Sequence, residues 1–531
     1  MDTMRKILAI LLVLTLLAGT TAALAATDET FATPGERYAE TVTVSTVRIL
    51  SPNLVFKDGD DINNNLWTRY YLDEENIKVE YRWTQPTSEA YEQRVDLSLT
   101  TGDLPDFMRL TATQYEDALA AGLLADLTEV YETYASPALK ERMTLTGDGP
   151  INAGTSDGKL YALVQETDNH TNYPGILFIR KDWREAVGME APTTVDELIK
   201  LARAFSEQDP DGNGADDTYG LMVDQYVGLR YLMNCMGAYQ GCWLDMGDGT
   251  YEYSSIQPEM RSALETLHTM YADGLLKTDF LTSTSNWADV NSGKAGMFIN
   301  SYTSPLSLMD GYEQSGIEWE MYPMPALTEE SYPAASQLPN GYDSYWVVNK
   351  DCEHPEAMIK LMNVFVDLQT NRSDYLHDTD GTPLYEYNAV SMNTPDNNYI
   401  NHLSIVEALE SGDTSALAVQ AVQAYDYCQA YLSGSGNRND WAYYMIFGPE
   451  SSCTVLGEYY IDPDNYVQSA WGGAPTPGMI SYSASLNSLE EETFIQIIVG
   501  GDLTAFDSFV NSWYSLGGET ITQEVNAGLS A

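Results

Sequence analysis

Hydrophobic and polar residues follow two different periods along this chain. Residues 41–50 alternate and are rich in β-branched side chains, which predicts a strand. Residues 77–81 and the apolar run 175–180 predict further strands. Between such runs, apolar residues recur at helical spacing, as at Leu198 and Leu201. Strands that alternate with helices at this spacing predict an α/β fold with largely parallel sheets.

Local signals mark where some of these elements begin and end. Thr194 and Glu197 form a capping box, since the hydroxyl and the carboxylate can satisfy backbone amides of a first helical turn. Pro258 is placed at the first turn of another helix, where its missing N–H has no cost. Residues 371–400 and 430–475 are rich in Asn, Asp, Gly, Pro, Ser and Tyr, which predicts long surface loops.

The amino terminus has the pattern of a secretion signal over residues 1–25. Two basic residues precede the apolar run Ile7–Leu17, and Ala23–Ala25 form a small-x-small cleavage site. The run is shorter than the roughly 20 residues that span a bilayer. The sequence therefore predicts a soluble, exported protein. Thr20 stands where a bacterial lipoprotein carries its lipidated cysteine, so we expect no lipid anchor of that kind.

Size and charge exclude several classes of function. With 531 residues, the chain exceeds one hydrophobic core and predicts at least two lobes. The formal net charge of −52 argues against nucleic-acid binding and against anionic membranes, because both need clustered cations. Five cysteines leave one unpaired if the others pair. Cys235 and Cys242 are close enough to bridge, but nothing requires it, and we expect a fold that does not depend on disulfides.

A short acidic loop predicts a calcium site. Five oxygen donors alternate along it: Asp209, Asp211, Asn213, the carbonyl of Ala215 and Asp217. This is the spacing with which an EF-hand-like loop surrounds a hard cation, and Gly214 occupies the place of the sharp turn. Gly220 stands where an EF-hand has its bidentate Glu, so we expect a weaker, structural site. A solvated acidic turn is the alternative.

An ordered set of segments carries a family resemblance. The matching segments run through most of the chain: Gly102–Asp106, Gly122–Asp126, Asp157–Tyr161, Ile179–Trp183, Asp209–Gly220, Ser255–Pro258, Ser292–Met297, Trp346–Lys350, Gly473–Met479 and Trp513–Gly517. With them, the chain resembles extracellular solute-binding protein family 1, the receptor component of sugar ABC importers in Gram-positive bacteria. Each segment is weak alone, and the order makes the set specific.

The resemblance implies a two-lobed periplasmic-binding-protein-like fold of type II, with a ligand cleft between lobes joined by crossing strands. The crossings would fall near 161–170, 338–346 and 455–472. The first lobe would then be 41–162 plus 347–455, and the second lobe 167–340 plus 460–531. It also implies a structural calcium ion on the 209–217 loop, a carbohydrate ligand and ABC transporter permease subunits as partners. We expect a monomer.

Candidate ligand residues are aromatic and amide side chains. Ten Trp and 37 Tyr against 12 Phe favour rings that pair an apolar face with a polar edge, which suits sugars. The predicted ligand-binding set is Asn65, Tyr161, Tyr302, Tyr342, Trp346, Trp441 and Trp471. Trp441 and Trp471 are chosen because they fall in segments that we predict to be loops.

Other classes of function stay open at this stage. A secreted carbohydrate-active hydrolase and a surface adhesin are the alternatives from different classes. With 78 Asp plus Glu, a pair of carboxylates carries no information, and the five His are scattered without metal spacing. Peptides or charged ligands such as uronates could replace neutral sugars. Only 26 Lys plus Arg are present, which favours a neutral oligosaccharide.

Overall fold

The computed structural model describes residues 37–50, 54, 56, 57, 59–145, 147–166, 174–223, 227–276, 287–338, 342–372, 375, 384–471 and 476–528. The predicted secretion signal, including Thr20, lies outside these ranges. Within them, no helix combines the length and the apolar character that a membrane-spanning segment requires. All five cysteines are free thiols.

The strands are short and spread over the whole chain. In order they are β1 Val42–Ile49, β2 Ile77–Gln85, β3 Phe107–Leu110, β4 Thr155–Ser156, β5 Lys159–Leu160, β6 Ala162–Glu166, β7 Ile176–Arg180, β8 Tyr219–Met222, β9 Trp243–Asp245, β10 Tyr251–Tyr253, β11 Ala295–Asn300, β12 Trp319–Pro323, β13 Ser336–Gln337, β14 Tyr342–Val348 and β15 Tyr466–Val467.

The α-helices occupy the intervals between the strands and most of the last third of the chain. They are α1 Leu66–Tyr70, α2 Ser88–Thr101, α3 Ala112–Ala120, α4 Thr128–Tyr134, α5 Pro137–Met143, α6 Gly149–Ala153, α7 Lys181–Val187, α8 Val195–Glu207, α9 Val227–Cys235, α10 Pro258–Ala272, α11 Trp287–Asn291, α12 Met309–Ser315, α13 Glu356–Asn371, α14 Asn397–Ser411, α15 Val419–Leu432, α16 Arg438–Phe447, α17 Ser452–Val455, α18 Pro477–Ile498, α19 Thr504–Trp513 and α20 Glu519–Gly528.

Two sheets organise the described part of the chain, and both contain antiparallel pairs. One has the order β3–β14–β6, with β14 antiparallel to both neighbours. The other has the order β12–β7–β11–β8, in which only β11 and β8 are parallel. The prediction of largely parallel sheets is therefore wrong. A strand that enters a lobe from the other lobe begins at the edge where the neighbouring strands end, so it runs antiparallel to them. The separate ladder of β1 and β2 is parallel.

Buried apolar side chains form three clusters. Alternate residues of β14 supply two of them, because successive side chains of a strand point to opposite faces. Trp346 and Val348 pack in one cluster, and Tyr345 and Val347 pack in the other. These two clusters form the core of the first lobe, which extends to Met392. The third and largest cluster is the core of the second lobe.

The second core draws on three separate stretches of chain. Its buried side chains come from Ile176 to Ala334, from Ile405 to Tyr460 and from Leu486 to Val525. The chain therefore changes core between Met392 and Ile405. We predicted a first lobe of 41–162 plus 347–455, and the buried side chains from Ile405 onward in its second part lie in this largest cluster instead.

A helix accounts for much of that difference. We predicted loops over 430–475, but α16 lies inside that range and is buried on one side. The Asn437 side chain accepts from the Asn439 N–H, and the Asp440 carboxylate accepts from the Asn437 N–H, which fixes the first turn. The Trp441 ring stacks on Tyr312 of α12, with ring centroids 4.3 Å apart. The loop prediction is wrong there because cap residues obscured a helical pattern.

Candidate functional site

Strand direction identifies the edge of the first lobe that faces the second. β6 ends at Glu166, before the chain reaches the second core, and β14 enters the first core at Tyr342, which pairs with Glu166. Both β3 and β6 run antiparallel to β14, so their carboxyl ends point the same way. Side chains that follow Leu110 therefore lie on the side where the chain passes to the second lobe.

The same reasoning identifies the facing edge of the second lobe. β7 begins at Ile176, just after the chain arrives from the first core, and Asn300 at the end of β11 pairs with Ile176. β8 is parallel to β11, with Met222 opposite Phe298. Both lobes therefore present carboxyl ends of strands toward the crossing, which is where α/β folds bind ligands.

On the first lobe, a cavity of about 180 Å³ opens at the carboxyl end of β3. It lies at the first turns of α2 and α3, whose caps Thr87 and Thr111 accept backbone N–H groups through their side chains. Tyr91 lines it and donates its hydroxyl to the Arg109 carbonyl, 2.9 Å away. Burial raises the pKa of Tyr91 to about 12, against the opposite effect of the Arg109 charge, so the phenol stays neutral. The cavity thus offers neutral donors, the Arg109 cation and one carboxylate, that of Glu92.

On the second lobe, Arg230 lies in the first turn of α9, which follows the carboxyl end of β8. Asn234, one turn later on the same helical face, accepts at 3.0 Å from the backbone N–H of Gln337 on β13. Because β13 leads to the crossing, Arg230 lies beside the path between the lobes. Its guanidinium is 5.0 Å from the Tyr231 ring centroid, and its Nε is buried without a hydrogen-bond partner.

Three arginines near the strand ends share one arrangement. Arg94, Arg109 and Arg230 each lie over an aromatic ring, at 5.3, 5.8 and 5.0 Å, and have no carboxylate partner among the described residues. Most other described Lys and Arg side chains pair with Asp or Glu. Sequence reasoning missed Arg109 and Arg230, since only the fold shows which cations remain unpaired. The adjacent pair Arg230–Tyr231 was the available signal.

Three of the seven predicted ligand residues are enclosed by their own lobe. The Asn65 amide caps α1, accepting from two backbone N–H groups and donating to the carbonyls of Asp61 and Ile62. Tyr302 lies beyond the cleft end of β11, but it is buried, and its hydroxyl accepts from the Asn398 amide. Trp441 is buried in α16 against Tyr312, so the reason given for choosing it, a place in a loop, does not hold.

The other four predicted residues differ in their distance from the facing edges. Tyr342 is half-buried at the entry of β14, directly at the edge. Trp346 is four residues further into the same strand, about 13 Å away, and is buried. Tyr161 precedes β6 and so lies at the end of that strand remote from the crossing. Trp471 packs near Gly528 at the end of α20. Tyr342 is the one best placed to meet a ligand.

The predicted calcium loop is exposed, and its acidic groups converge on one amide. The Asn213 side-chain nitrogen donates to Asp211 at 2.7 Å and to Asp217 at 3.1 Å. Both Asp209 carboxylate oxygens accept backbone N–H groups, from Asn213 and Gly214. Among the described residues, no group of three or more acidic, His or Cys side chains is arranged to hold a metal. The donors are the oxygen type that calcium prefers, but in this arrangement they bind one another.

Comparison with known proteins gives relatives along nearly the whole chain. The polygalacturonan/rhamnogalacturonan-binding protein YtcQ of Bacillus subtilis (strain 168) is 25% identical over 463 residues, covering 85% of each chain. Two solved structures share the fold. Alginate-binding protein AlgQ2 without calcium ion has a TM-score of 0.63 at 15% identity, covering 93% of this chain and 99% of its own. FusA of S. pneumoniae in complex with kestose has a TM-score of 0.64 at 16% identity, covering 92% and 99%.

These likenesses agree with the two cores, the crossing strands and the facing edges described above, and they confirm the predicted two-lobed α/β fold of type II. Residues 59–367, more than half of the chain, match the family described as bacterial extracellular solute-binding protein. The resemblance found from the sequence segments is thereby confirmed. The chain belongs to the bacterial extracellular solute-binding protein family.

Proposed function

We propose that this protein captures an oligosaccharide between its lobes and delivers it to the permease of an ABC transporter. The observation that carries the proposal is the match to YtcQ along 85% of both chains, since that relative is named for binding polygalacturonan and rhamnogalacturonan. The fold supports it, because two separate cores joined by crossing strands can close around a solute. The relatives are binding proteins, and we propose that this chain is not an enzyme.

Capture in such a fold depends on contacts that only the closed form makes. A solute that touches both edges stabilises closure by the free energy of those shared contacts, and the lobes move about the crossing strands. Tyr342 supplies an aromatic face at the first edge, and Tyr302 follows β11 at the second. We propose Tyr342 as a ligand contact and the buried Tyr302 as a support of the second edge.

Export and calcium belong to the same proposal. We propose that residues 1–25 are removed on export and that the protein works outside the membrane without a lipid on residue 20. The loop Asp209–Asp217 would hold calcium after the Asn213 amide turns away and releases Asp211 and Asp217. Bound calcium would supply no chemistry to solute capture. It would hold the connection between α8 and β8 in one shape.

The calcium proposal has a control within the same loop. Calcium at 100 times its Kd should add about 2.7 kcal/mol of stability, seen as a rise in melting temperature. Asp217→Asn should abolish that rise, while Asp216→Asn, the same change of charge on a neighbour outside the donor pattern, should keep it. An equal response of both variants would show that calcium acts through general charge screening.

Solute capture is tested by isothermal titration of the exported form against fructo-, malto- and galacturono-oligosaccharides. Binding without any change in the sugar, followed by chromatography, is the expected result. Tyr342→Ala should weaken binding, while Tyr514→Ala, an exposed tyrosine in the last third of the chain, should not. Consumption of the sugar would favour the hydrolase. Failure of every oligosaccharide would overturn the proposal and leave peptides as the next class to test.

A further inference from the structure

The buried, unpartnered Nε of Arg230 is an unusual feature in a chain with this composition. The guanidinium stays charged at every physiological pH. A buried donor without a partner costs about 1–3 kcal/mol, and more when it is charged. The Tyr231 face offsets part of this cost through a cation–π contact. With 78 acidic residues in the chain, a carboxylate partner would be easy to supply, and no described residue supplies one.

The position of Arg230 explains why a partner is absent. It lies at the cleft edge of the second lobe, one helical turn from Asn234, which accepts from Gln337 on β13, the strand that leads to the crossing. A protein carboxylate at this point would occupy the guanidinium and block the cleft. An incoming solute that carries a carboxylate can instead fill both positions of the planar guanidinium fork.

The first lobe repeats the arrangement at its own edge. Arg109 lies at the cavity beyond β3, over Tyr91, and has no ion pair among the described residues. The first turns of two helices open at the same cavity, and their N-terminal ends favour negative charge. Each lobe therefore presents one unpaired arginine on the side that faces the other lobe.

The net charge of −52 does not oppose an acidic ligand at these points. Charges separated by more than about 8 Å are largely screened at physiological ionic strength. The local charges of the cleft edge decide. Among the described residues, Arg230 and Arg109 make no ion pair there, although the Glu92 carboxylate lines the cavity of Arg109. The low total of Lys and Arg, which favoured a neutral sugar from composition alone, is outweighed by where the unpaired ones lie.

We propose that the captured solute is an acidic oligosaccharide whose carboxylate binds the Arg230 guanidinium, with Arg109 receiving a second carboxylate on the first lobe. This rests on the proposed capture of an oligosaccharide and narrows it to uronate-containing chains. Two carboxylates on one oligosaccharide would connect the lobes and so favour the closed form.

The test compares one acidic probe with its neutral form. Trigalacturonic acid and its fully methyl-esterified derivative have the same sugar rings and differ in charge. Wild-type protein should bind the acid more tightly than the ester. Arg230→Gln should weaken binding of the acid by about 30-fold or more, the loss expected when one partner of a desolvated charge pair is removed. Binding of the ester should change little.

Arg438→Gln is the matched control. It removes the same charge from a surface arginine that pairs with Asp310 and Glu313, so it reports any long-range effect of net charge. Arg230→Lys retains the charge without the fork and should restore binding only in part. Arg109→Gln should weaken binding of the acid less than Arg230→Gln does, since Arg109 has no buried atom without a hydrogen-bond partner. Melting temperatures of the free variants verify folding.

Each outcome decides between the inference and the function on which it rests. If the ester or a neutral oligosaccharide binds as tightly as the acid, or if Arg230→Gln weakens both probes equally, the inference is overturned and capture of a sugar stands. If neither probe nor any neutral oligosaccharide binds, the proposed function fails as well. If Arg230→Gln loses binding of the acid but not of the ester, and Arg438→Gln keeps both, the inference is supported.

Discussion

Replacing the buried Lys360 should reveal how firmly the first lobe depends on one ion pair. Lys360 in α13 contacts Glu75 at 2.7 Å, and their side chains are 1% and 5% exposed. The ammonium also lies 5.3 Å from the Tyr38 ring. Lys360→Met leaves the Glu75 carboxylate in this site without its counterion. Glu75→Met does the reverse, and the double variant removes both charges.

The burial of both partners sets the size of the effect. Removing one partner of a buried pair costs about 3–5 kcal/mol, because the remaining charge is neither solvated nor compensated. Replacing both by apolar residues of similar volume is often close to neutral. Each single variant should therefore lose about 3–5 kcal/mol of unfolding free energy. The double variant should lose far less than the sum of the two, with a coupling energy of several kcal/mol.

Urea unfolding of the ligand-free protein at pH 7 measures all four members of this cycle. Hydrogen exchange at the amides of α13 assigns the affected transition to the first lobe. Single variants within about 1 kcal/mol of wild type would refute the reasoning, since exposed pairs have effects of that size. A double variant as unstable as the sum of the singles would refute it equally, because the loss would then come from packing.

Two further predictions concern titration inside the second lobe. Burial raises the pKa of Glu490 above its usual value, so folding favours its protonated form. The wild-type protein should therefore lose stability relative to Glu490→Gln as the pH rises above about 4.5. Equal pH profiles of urea unfolding for the two proteins would contradict this. Burial lowers the pKa of His402, whose Nδ1 is 3.0 Å from the Phe447 carbonyl. The neutral imidazole therefore contributes to the stability of the folded protein above about pH 6.5, and this contribution is lost as the pH falls below that value. His402→Asn should lack that acid-side loss in the same assay.

Signals that act within a few residues could be read directly from the sequence. The capping box of Thr194 and Glu197 is present at the start of α8, and Pro258 occupies the first turn of α10. These succeed because the groups that satisfy a helix terminus are close in the chain. The ordered family segments made it possible to predict the two-lobed fold as well, since they span most of the chain and are specific to one family.

Features set by long-range packing were beyond these signals. Trp441 belongs to a helix stacked on Tyr312, a contact between residues far apart in sequence. Asn65 was chosen as a ligand residue, and the fold gives it a capping role. The sequence offers only the adjacent pair Arg230–Tyr231 as a signal, and none for Arg109. Whether a cation is paired depends on which acidic side chains the fold brings near it, and with 78 of them no sequence rule selects the exceptions.

The composition of the second core determines when this protein can fold. Its buried side chains extend from Ile176 to Val525, so the last helices, α18–α20, complete a core whose first strand was made hundreds of residues earlier. A nascent chain that still lacks Leu486–Val525 exposes the apolar side chains awaiting them. Contacts this distant in sequence form slowly. The second lobe therefore cannot complete its core until the last three helices have been synthesised.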